Sequence, residues 1–230
     1  MALSLPSSHA QITANHMLQF KIVPVTPFQQ NCTLLWCDET GQGAIVDPGG
    51  DVEQILGVIQ EIGFEPVKIL LTHGHLDHVG GTAELAERLS LPIEGPHRDD
   101  DFLLQSLPGQ CQMFGLPRVA SFETGRWLED GDRVEVGAVE LRVIHCPGHT
   151  PGHIVFFNEA FRIAQVGDVL FKGSIGRTDF PRGNHRDLLE SVRLRLFPLG
   201  NDVRFIPGHG PMSSFGAERH SNPFVGDEYV

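Results

Sequence analysis

The sequence predicts an α/β fold of a single domain, in which two β-sheets pack together and helices cover them. Short apolar runs rich in β-branched residues recur along the chain in two clusters, with amphipathic helical patterns between or after them. Strands and helices do not alternate strictly, which favours two mixed sheets over one parallel sheet. Hydrophobic residues make up 40% of the 230 residues and charged residues 20%, as is typical of a globular domain with a full core.

The predicted strands are apolar runs bounded mostly by Gly, Pro, Asn or Asp. The first cluster comprises residues 20–23, 33–36, 44–46 and 68–71, and the second comprises 133–136, 139–144, 154–157, 163–166 and 203–206. These clusters predict two similar halves joined near residue 120. We expect the domain to span residues 18–230 and a flexible leader to occupy residues 1–17.

Three segments carry helical patterns. Residues 51–54 read Asp-Val-Glu-Gln, which resembles a capping box, and they begin a predicted helix that ends at Gly63. Further helices are predicted over 82–89 and 187–196. Residues 97–126 show no clear period, and we expect short helices there within a long connection.

Charge and cysteine usage exclude several classes of function. The 17 Lys and Arg against 29 Asp and Glu give a formal net charge of −12, so the chain lacks the basic field of a nucleic-acid-binding protein. Neither an apolar run of about 18 residues nor a basic or apolar signal segment is present, so we expect no membrane helix and no targeting peptide. The four cysteines form no CxxC pair and are expected to be free thiols. We therefore expect a cytoplasmic protein that acts on a small molecule.

The strongest functional signal is a histidine-rich run directly after a predicted strand. Residues 73–78 read His-Gly-His-Leu-Asp-His, which places four potential metal ligands within six residues. His73 and His75 can reach one cation from an extended backbone, because side chains two residues apart lie on the same side. Asp77 and His78 face another direction as the next helix begins. One segment can thus serve two adjacent metals.

Four ligands in one loop cannot enclose two metals, so further ligands must come from elsewhere. Three candidates share a setting next to Gly or Pro, past an apolar strand: His149, Asp168 and His209. His145 and His153 flank His149, and either can be a core histidine or a support for a ligand. Asp47 also ends an apolar strand, where it would either cap a turn or accept the free ring N–H of a ligand histidine.

These residues resemble the metallo-β-lactamase superfamily, whose hallmark is an HxHxDH loop. The later His, Asp and His match in order and context, and the resemblance covers about residues 18 to 226. It implies a four-layer αβ/βα sandwich with a dimetal site along one edge. It also implies a first metal on His73, His75 and His149, a second on Asp77, His78 and His209, and Asp168 as the bridge between them.

Within the superfamily the sequence is similar to type II glyoxalases (hydroxyacylglutathione hydrolases), in particular to the short YcbL-type proteins. The likeness is carried by residues 30–32, 47–50, 147–153, 171–181, 205–211 and 218–224. It implies hydrolysis of thioesters such as S-lactoylglutathione, with Asp77 orienting the attacking hydroxide. Zinc is the default for two divalent ions held by His and Asp, and iron and manganese are chemically admissible.

Two departures from that group concern the substrate. Full glyoxalases carry a C-terminal helical domain that grips glutathione, and where they place a Lys and a Tyr this sequence has Arg177 and Asp179. Glutathione specificity is therefore expected to carry over less well than hydrolysis. Lys172, Arg177 and Arg182 form a local run of positive charge that could hold a substrate carboxylate, or be ordinary solvated surface charge.

Three other functions fit the same motifs. The main rival is a persulfide dioxygenase of the same superfamily, which uses one iron held by two His and one Asp and which residues 176–180 also resemble. A hydrolase of another ester or lactone is the second. The third is a metal-binding or flavoprotein-partner module that keeps the site for stability alone.

Overall fold

The first sheet has five strands, and it is built from the first cluster of apolar runs. The computed structural model describes residues 18–115 and 118–229, so the predicted leader over 1–17 lies outside the described residues. The strands, in spatial order, are β1 (Leu18–Val25), β2 (Gln30–Cys37), β3 (Gln42–Val46), β4 (Glu65–Leu70) and β5 (Ile93–Glu94). β1, β2 and β3 pair antiparallel, whereas β3, β4 and β5 pair parallel. All four predicted strands are confirmed, and β5 is too short to show a pattern in the sequence.

The second sheet has six strands and contains all five predicted strands of the second cluster. Its members are β6 (Arg133–Val136), β7 (Val139–His145), β8 (Ile154–Asn158), β9 (Ile163–Gly167), β12 (Arg204–Pro207) and β13 (Ser213–Ser214). The spatial order is β13-β12-β9-β8-β7-β6, and only the β12–β9 pair is parallel. A separate two-stranded ribbon joins β10 (Leu170–Phe171) to β11 (Ser174–Ile175).

The helices of the described residues lie where the sequence predicts them, with additions. They are α1 (Val52–Ile62), α2 (Leu76–Val79), α3 (Thr82–Leu89), α4 (Asp101–Gln105), α5 (Leu107–Phe114), α6 (His185–Glu190) and α7 (Phe215–Ser221). The short helices α4 and α5 confirm the expectation for residues 97–126. The predicted helix over 187–196 begins two residues earlier and continues from Ser191 as a π-helical segment, Ser191–Leu196.

The capping box predicted at residues 51–54 is wrong. The backbone of Asp51 is left-handed (φ 47°), and its carboxylate accepts a hydrogen bond from the Thr26 N–H at 2.6 Å instead of capping α1. Asp51 therefore ties the start of α1 to the loop after β1. The predicted stop is correct, because Gly63 adopts a left-handed φ of 83° that favours glycine, and its N–H bonds the Ile59 carbonyl.

The inner strands β3, β8 and β9 are buried on both faces, which explains why they are nearly continuous apolar runs, whereas the edge strand β6 alternates between exposed and buried residues. In β8, Ile154 and Phe156 lie in the layer between the sheets, together with Val46 of the first sheet. Val155 and Phe157 point the opposite way, toward α6 and α7. Helices α1, α3 and α5 cover the outer face of the first sheet. The order helix, sheet, sheet, helix confirms the predicted four-layer αβ/βα sandwich.

The four cysteines are free, as predicted, and all four are buried. Each lies in one of the apolar layers, so it packs as a small hydrophobic residue. Among the helices of residues 18–115 and 118–229, none has both the length and the apolar character needed to cross a membrane.

Carboxyl ends of strands from both sheets meet at one edge of the sandwich. The loops after β3, β4, β7, β9 and β12 lie there, and hydrogen bonds join the two sheets across it. The Ile154 N–H donates to the Thr72 carbonyl at 2.9 Å, and the Asn31 N–H donates to the Gly208 carbonyl at 2.7 Å. Functional side chains concentrate on loops held by such a rigid scaffold, so this edge positions the site.

Candidate metal centre

Three histidines from two loops converge at this edge and form what we call the three-histidine cluster. His73 and His75 follow β4, and His149 follows β7. One ring nitrogen from each lies within 4.8 Å of the others, and His75 Nδ1 is 2.9 Å from His149 Nε2. The rings meet edge-on, at interplanar angles of 82° to 88°. Their in-plane lone pairs can therefore point toward one centre, as zinc coordination requires.

A second group, the mixed cluster, combines Asp77, His78 and His209. One ligand atom from each lies within 4.8 Å of the others. His209 Nε2 is 3.1 Å from Asp77 Oδ2, and His78 Nε2 is 3.9 Å from the same oxygen. Helix α2 begins at Leu76, so Asp77 and His78 leave the extended direction of the preceding residues, although the His78 ring still lies 4.1 Å from the ring of His73.

Asp168 lies between the two clusters. Its Oδ1 is 3.3 Å from His78 Nε2 in the mixed cluster. Its Oδ2 is 3.6 Å from His149 Nε2 and 3.7 Å from His209 Nε2. One carboxylate that faces both groups has the position of a bridging ligand. The structure thus brings together all seven residues predicted to bind metal.

Unsatisfied buried atoms show that this edge suits cations. His73 Nε2, His78 Nε2 and Asp168 Oδ1 are buried without a well-directed hydrogen-bond partner among the described residues. Such atoms are rare because burying an unpaired polar group is costly. The space beside them excludes any side chain at position 208, since a Cβ on Gly208 would lie 2.1 Å from Asp168 Oδ1. The donor set of five histidines and two aspartates fits two divalent ions.

Hydrogen bonds to the opposite ring nitrogens orient three of the histidines. Asp47 Oδ2 accepts from His78 Nδ1 at 3.0 Å, the Arg177 carbonyl accepts from His149 Nδ1 at 2.7 Å, and the Phe28 carbonyl accepts from His209 Nδ1 at 3.1 Å. Each bond places a proton on Nδ1, so Nε2 is the nitrogen that faces the centre and that can bind a cation when it carries no proton.

Asp47 supports the site from behind. It is fully buried, with a left-handed φ of 50°, and its two oxygens also accept the Thr72 N–H at 2.7 Å and the Thr72 hydroxyl at 2.6 Å. Asp47, His73 and His78 are close enough to be a ligand group. Because both Asp47 oxygens are already occupied, its contacts favour the orienting role over ligation.

The two histidines that flank His149 have other partners. His153 is buried, stacks on His73 at 4.6 Å and accepts the Asp168 N–H on Nε2 at 3.0 Å, so it supports the backbone of the bridging residue. His145 donates to the Pro151 carbonyl and stacks on His97 at 4.3 Å and 22°. His97, Asp99 and His145 form a further compact group. Both ring nitrogens of His97 already have partners, the Asp99 N–H at Nδ1 and the Glu129 carboxylate at Nε2, which disfavours a common ion in this group.

Asp100 joins the two loops of the three-histidine cluster, and sequence reasoning missed it. Its Oδ2 accepts the Gly74 N–H at 2.9 Å and the Thr150 hydroxyl at 2.7 Å, while Oδ1 accepts the Gly152 N–H at 2.6 Å. Gly74 lies between His73 and His75, and Thr150 follows His149. Burial raises the pKa of Asp100 to about 6 despite these three bonds.

The histidines of the two clusters have pKa values shifted in opposite directions. Burial lowers the pKa of His75 to about 3 and also lowers the pKa values of His73 and His149. In the mixed cluster burial acts in the same direction on His78, but the charges of Asp168 and Asp77 outweigh it and raise its pKa well above the ordinary value. The pKa of His209 is raised too, since its hydrogen bond to Asp77 outweighs burial.

The three predicted substrate-binding cations have separate surroundings. The guanidinium of Arg177 makes two hydrogen bonds of 2.7 Å to the Asp179 carboxylate. Arg182 lies over the ring of Phe102, 4.1 Å from its centroid. Lys172 is exposed and forms no ion pair within the described part of the chain. Two of the three cations thus already have partners within the protein, and a role for each of them in substrate binding stays a prediction.

A profile of the metallo-β-lactamase superfamily matches residues 25–209, and the chain belongs to this superfamily. Hydroxyacylglutathione hydrolase GloC of Haemophilus influenzae is 46% identical over 209 residues, which cover 90% of this chain and 98% of that protein. The predicted superfamily and the predicted likeness to type II glyoxalases are both confirmed.

Two solved structures are similar over nearly the whole fold. The crystal structure of BLEG-1 B3 metallo-β-lactamase superposes with a TM-score of 0.84 at 33% identity, over 90% of this chain and 99% of that one. The crystal structure of TTHA1623 in a di-iron-bound form gives a TM-score of 0.81 at 37% identity, over 89% of this chain and 100% of that one. A related protein of the same fold thus holds two metal ions.

Proposed function

We propose that the protein is a metal-dependent hydrolase of thioesters, with S-lactoylglutathione as the representative substrate. The observation that carries this proposal is the Asp168 carboxylate, which faces both ligand clusters at once. The 46% identity to hydroxyacylglutathione hydrolase GloC supports the choice of a glutathione thioester.

His73, His75 and His149 would hold one divalent ion, Asp77, His78 and His209 would hold the other, and Asp168 would contact both. When bound, two such ions lower the pKa of a water molecule toward neutrality and polarise the scissile carbonyl. Zinc suits a His and Asp donor set by default, with iron and manganese as chemically admissible choices.

Asp77 is placed to orient the attacking water. Its side chain is 25% exposed, and its Oδ2 lies 3.1 Å from Nε2 of His209. Burial opposes its ionisation, but the charge of His78 and the hydrogen bond from His209 outweigh burial and keep the pKa of Asp77 below its ordinary value. At neutral pH the ionised Asp77 carboxylate can accept a hydrogen bond from a water molecule and orient it toward the carbonyl carbon of the substrate. A thioester suits this arrangement because a thiolate leaves without a strong general acid.

The test combines elemental analysis with an assay of S-lactoylglutathione hydrolysis. We expect close to two metal ions per chain and turnover that is lost on chelation and restored by zinc, iron or manganese. One iron per chain with O₂ consumption on a persulfide would support the dioxygenase instead. Intact metal without turnover of any thioester, other ester or lactone would support a non-enzymatic module. We further propose a cytoplasmic site of action, which the four free, buried cysteines support.

A further inference from the structure

A cleft of about 530 Å³ begins directly at the mixed cluster. Leu76 and Asp77 line it on one side, and on another lies Phe28, whose carbonyl accepts the ring N–H of His209. The volume lies within the range of about 300–1,000 Å³ that is typical of small-molecule sites. A ligand bound in this cleft therefore contacts the candidate metal centre on the side of the mixed cluster, which is the more exposed side.

Helix α3 supplies a charged wall to the cleft. Ala83, Glu84 and Glu87 line it, because residues three and four apart share a face of the helix, whereas Leu85 points into the core. Val52 and Val119 add apolar surface. The cleft thus offers apolar contact area with charges at its rim.

Two of the acidic side chains that line the cleft already have hydrogen-bond partners within the protein. Glu84 accepts a hydrogen bond from Arg88 at 2.9 Å, and Asp51 accepts the Thr26 N–H at 2.6 Å. Glu87 and Arg118 also line the cleft, yet neither forms a hydrogen bond or an ion pair with the described residues. Glu87 and Arg118 are thus an acidic and a basic side chain of the lining that a ligand can engage without displacing a partner among the described residues.

We propose that this cleft binds the thiol-bearing half of the substrate, with Glu87 contacting an ammonium group and Arg118 a carboxylate of an amino-acid end group. This assignment rests on the proposed thioesterase function. Charged hydrogen bonds at both ends of such a group distinguish it from a neutral thiol of the same size. The γ-glutamyl end of a glutathione thioester carries this pair of charges.

The test measures binding, so that it does not depend on turnover. Metal-loaded protein is titrated calorimetrically with S-hexylglutathione, a thioether without a scissile acyl group, and with its N-acetyl derivative, which lacks the ammonium. Glu87→Gln is expected to weaken binding of the free-amine ligand about fivefold, the upper range for an exposed ion pair. The same variant should not weaken binding of the N-acetyl ligand. Arg118→Gln should weaken both ligands, because both keep the carboxylate.

Glu61→Gln is the matched control, because Glu61 is an exposed acid on α1 outside the cleft and should leave both affinities unchanged. Equal effects of Glu87→Gln on the two ligands, or no effect on either, would overturn the assignment. Discrimination between the ligands by a protein that does not hydrolyse S-lactoylglutathione would overturn the proposed function and support the cleft. Hydrolysis of S-lactoylglutathione without discrimination between the two ligands would support the proposed function and overturn the assignment of the cleft.

Discussion

The three-histidine cluster and the mixed cluster lie side by side, yet they differ in burial and in charge. His73 and His149 are 0% and 2% exposed, whereas the side chains of Asp77 and His209 are 25% and 28% exposed, and within the mixed cluster His78 alone is fully buried. Burial keeps the first group neutral, while neighbouring carboxylates favour protonation of the histidines in the second. The surroundings thus lower the pKa values of the histidines in one cluster and raise those of the histidines in the other.

This difference has a consequence for metal binding. A neutral histidine can bind a cation at once, whereas a protonated one must first release its proton. We expect the three-histidine cluster to fill first and the mixed cluster, on the open side, to exchange its metal more readily. The predictions below test this comparison, from the largest expected effect to the smallest.

Asp168→Ala should have the largest effect, because it removes the one carboxylate that faces both clusters. Metal content should fall in both, and kcat/KM should fall by more than about a hundredfold, beyond the loss typical of a hydrogen-bond partner of a ligand. Elemental analysis and the thioesterase assay measure the two effects. Asp179→Ala is the control, since Asp179 pairs with Arg177 at the surface. Normal metal content in Asp168→Ala would contradict a bridging role.

His149→Ala should remove metal from the three-histidine cluster alone and abolish turnover. His153→Ala should keep the metal content and instead lower the free energy of unfolding by about 2 kcal/mol, since a buried polar partner of the Asp168 N–H is lost. Metal analysis and denaturant unfolding of both variants separate a ligand from a support. The opposite pattern would mean that His153 is the ligand.

Asp100→Asn should weaken metal binding to the three-histidine cluster about 10–100-fold, as expected for loss of a group that orients ligands. The amide keeps one acceptor but places an NH₂ where the carboxylate accepts backbone N–H groups. Competition with a chromophoric chelator measures the affinity of each cluster. Asp99→Asn is the matched control, because Asp99 is the neighbour of Asp100 in the sequence and is exposed. An equal loss in both clusters would show that Asp100 acts on the fold as a whole.

Metal binding should release protons mainly at the mixed cluster. The raised pKa values of His78 and His209 mean that protons compete for them at a higher pH than for His73, His75 and His149. As pH falls toward the ordinary histidine pKa of about 6.5, the mixed cluster should therefore lose its metal first. The protein is freed of metal with a chelator and titrated with metal in a calorimeter at pH 7, in two buffers of different ionisation enthalpy. The difference between the two heats gives the number of protons released on metal binding. Simultaneous loss of both metals on acidification would contradict the difference between the clusters.

Arg177→Ala should have the smallest effect. Its guanidinium already bonds the Asp179 carboxylate, so a substrate carboxylate would meet little net charge. We expect kcat/KM on S-lactoylglutathione to fall about two- to threefold, within the range of an exposed ion pair, with both metals retained. An uncharged thioester provides the comparison. A tenfold, charge-selective loss would show that Arg177 is the main anchor after all.

The sequence alone determined the features that depend on local spacing. Helices α1 and α3 and the nine longer strands were predictable because their apolar periods are complete within a few residues. The HxHxDH run was predictable for the same reason, since an extended segment followed by a helix separates its side chains into two directions. The grouping of the apolar runs into two clusters with helical patterns between or after them also indicated two sheets covered by helices.

Prediction from local sequence pattern failed where a residue distant in the chain determines the conformation. Asp51 reads as a helix cap, but the Thr26 N–H across the loop captures its carboxylate. Asp100 lies in an acidic run with the exposed Asp99 and Asp101, and only its burial against two loops distinguishes it. The two-residue strand β5 exists because β4 pairs with it.

The tertiary structure decided which histidine of residues 145–153 reaches His75. His145, His149 and His153 have equal spacing and similar neighbours in the sequence. Only after the two sheets pack does the loop beyond β7 bring His149 Nε2 within 2.9 Å of His75 Nδ1, while the Arg177 carbonyl holds the opposite nitrogen. Local spacing encodes directions along one segment, whereas distances between segments far apart in the chain depend on how the two sheets pack.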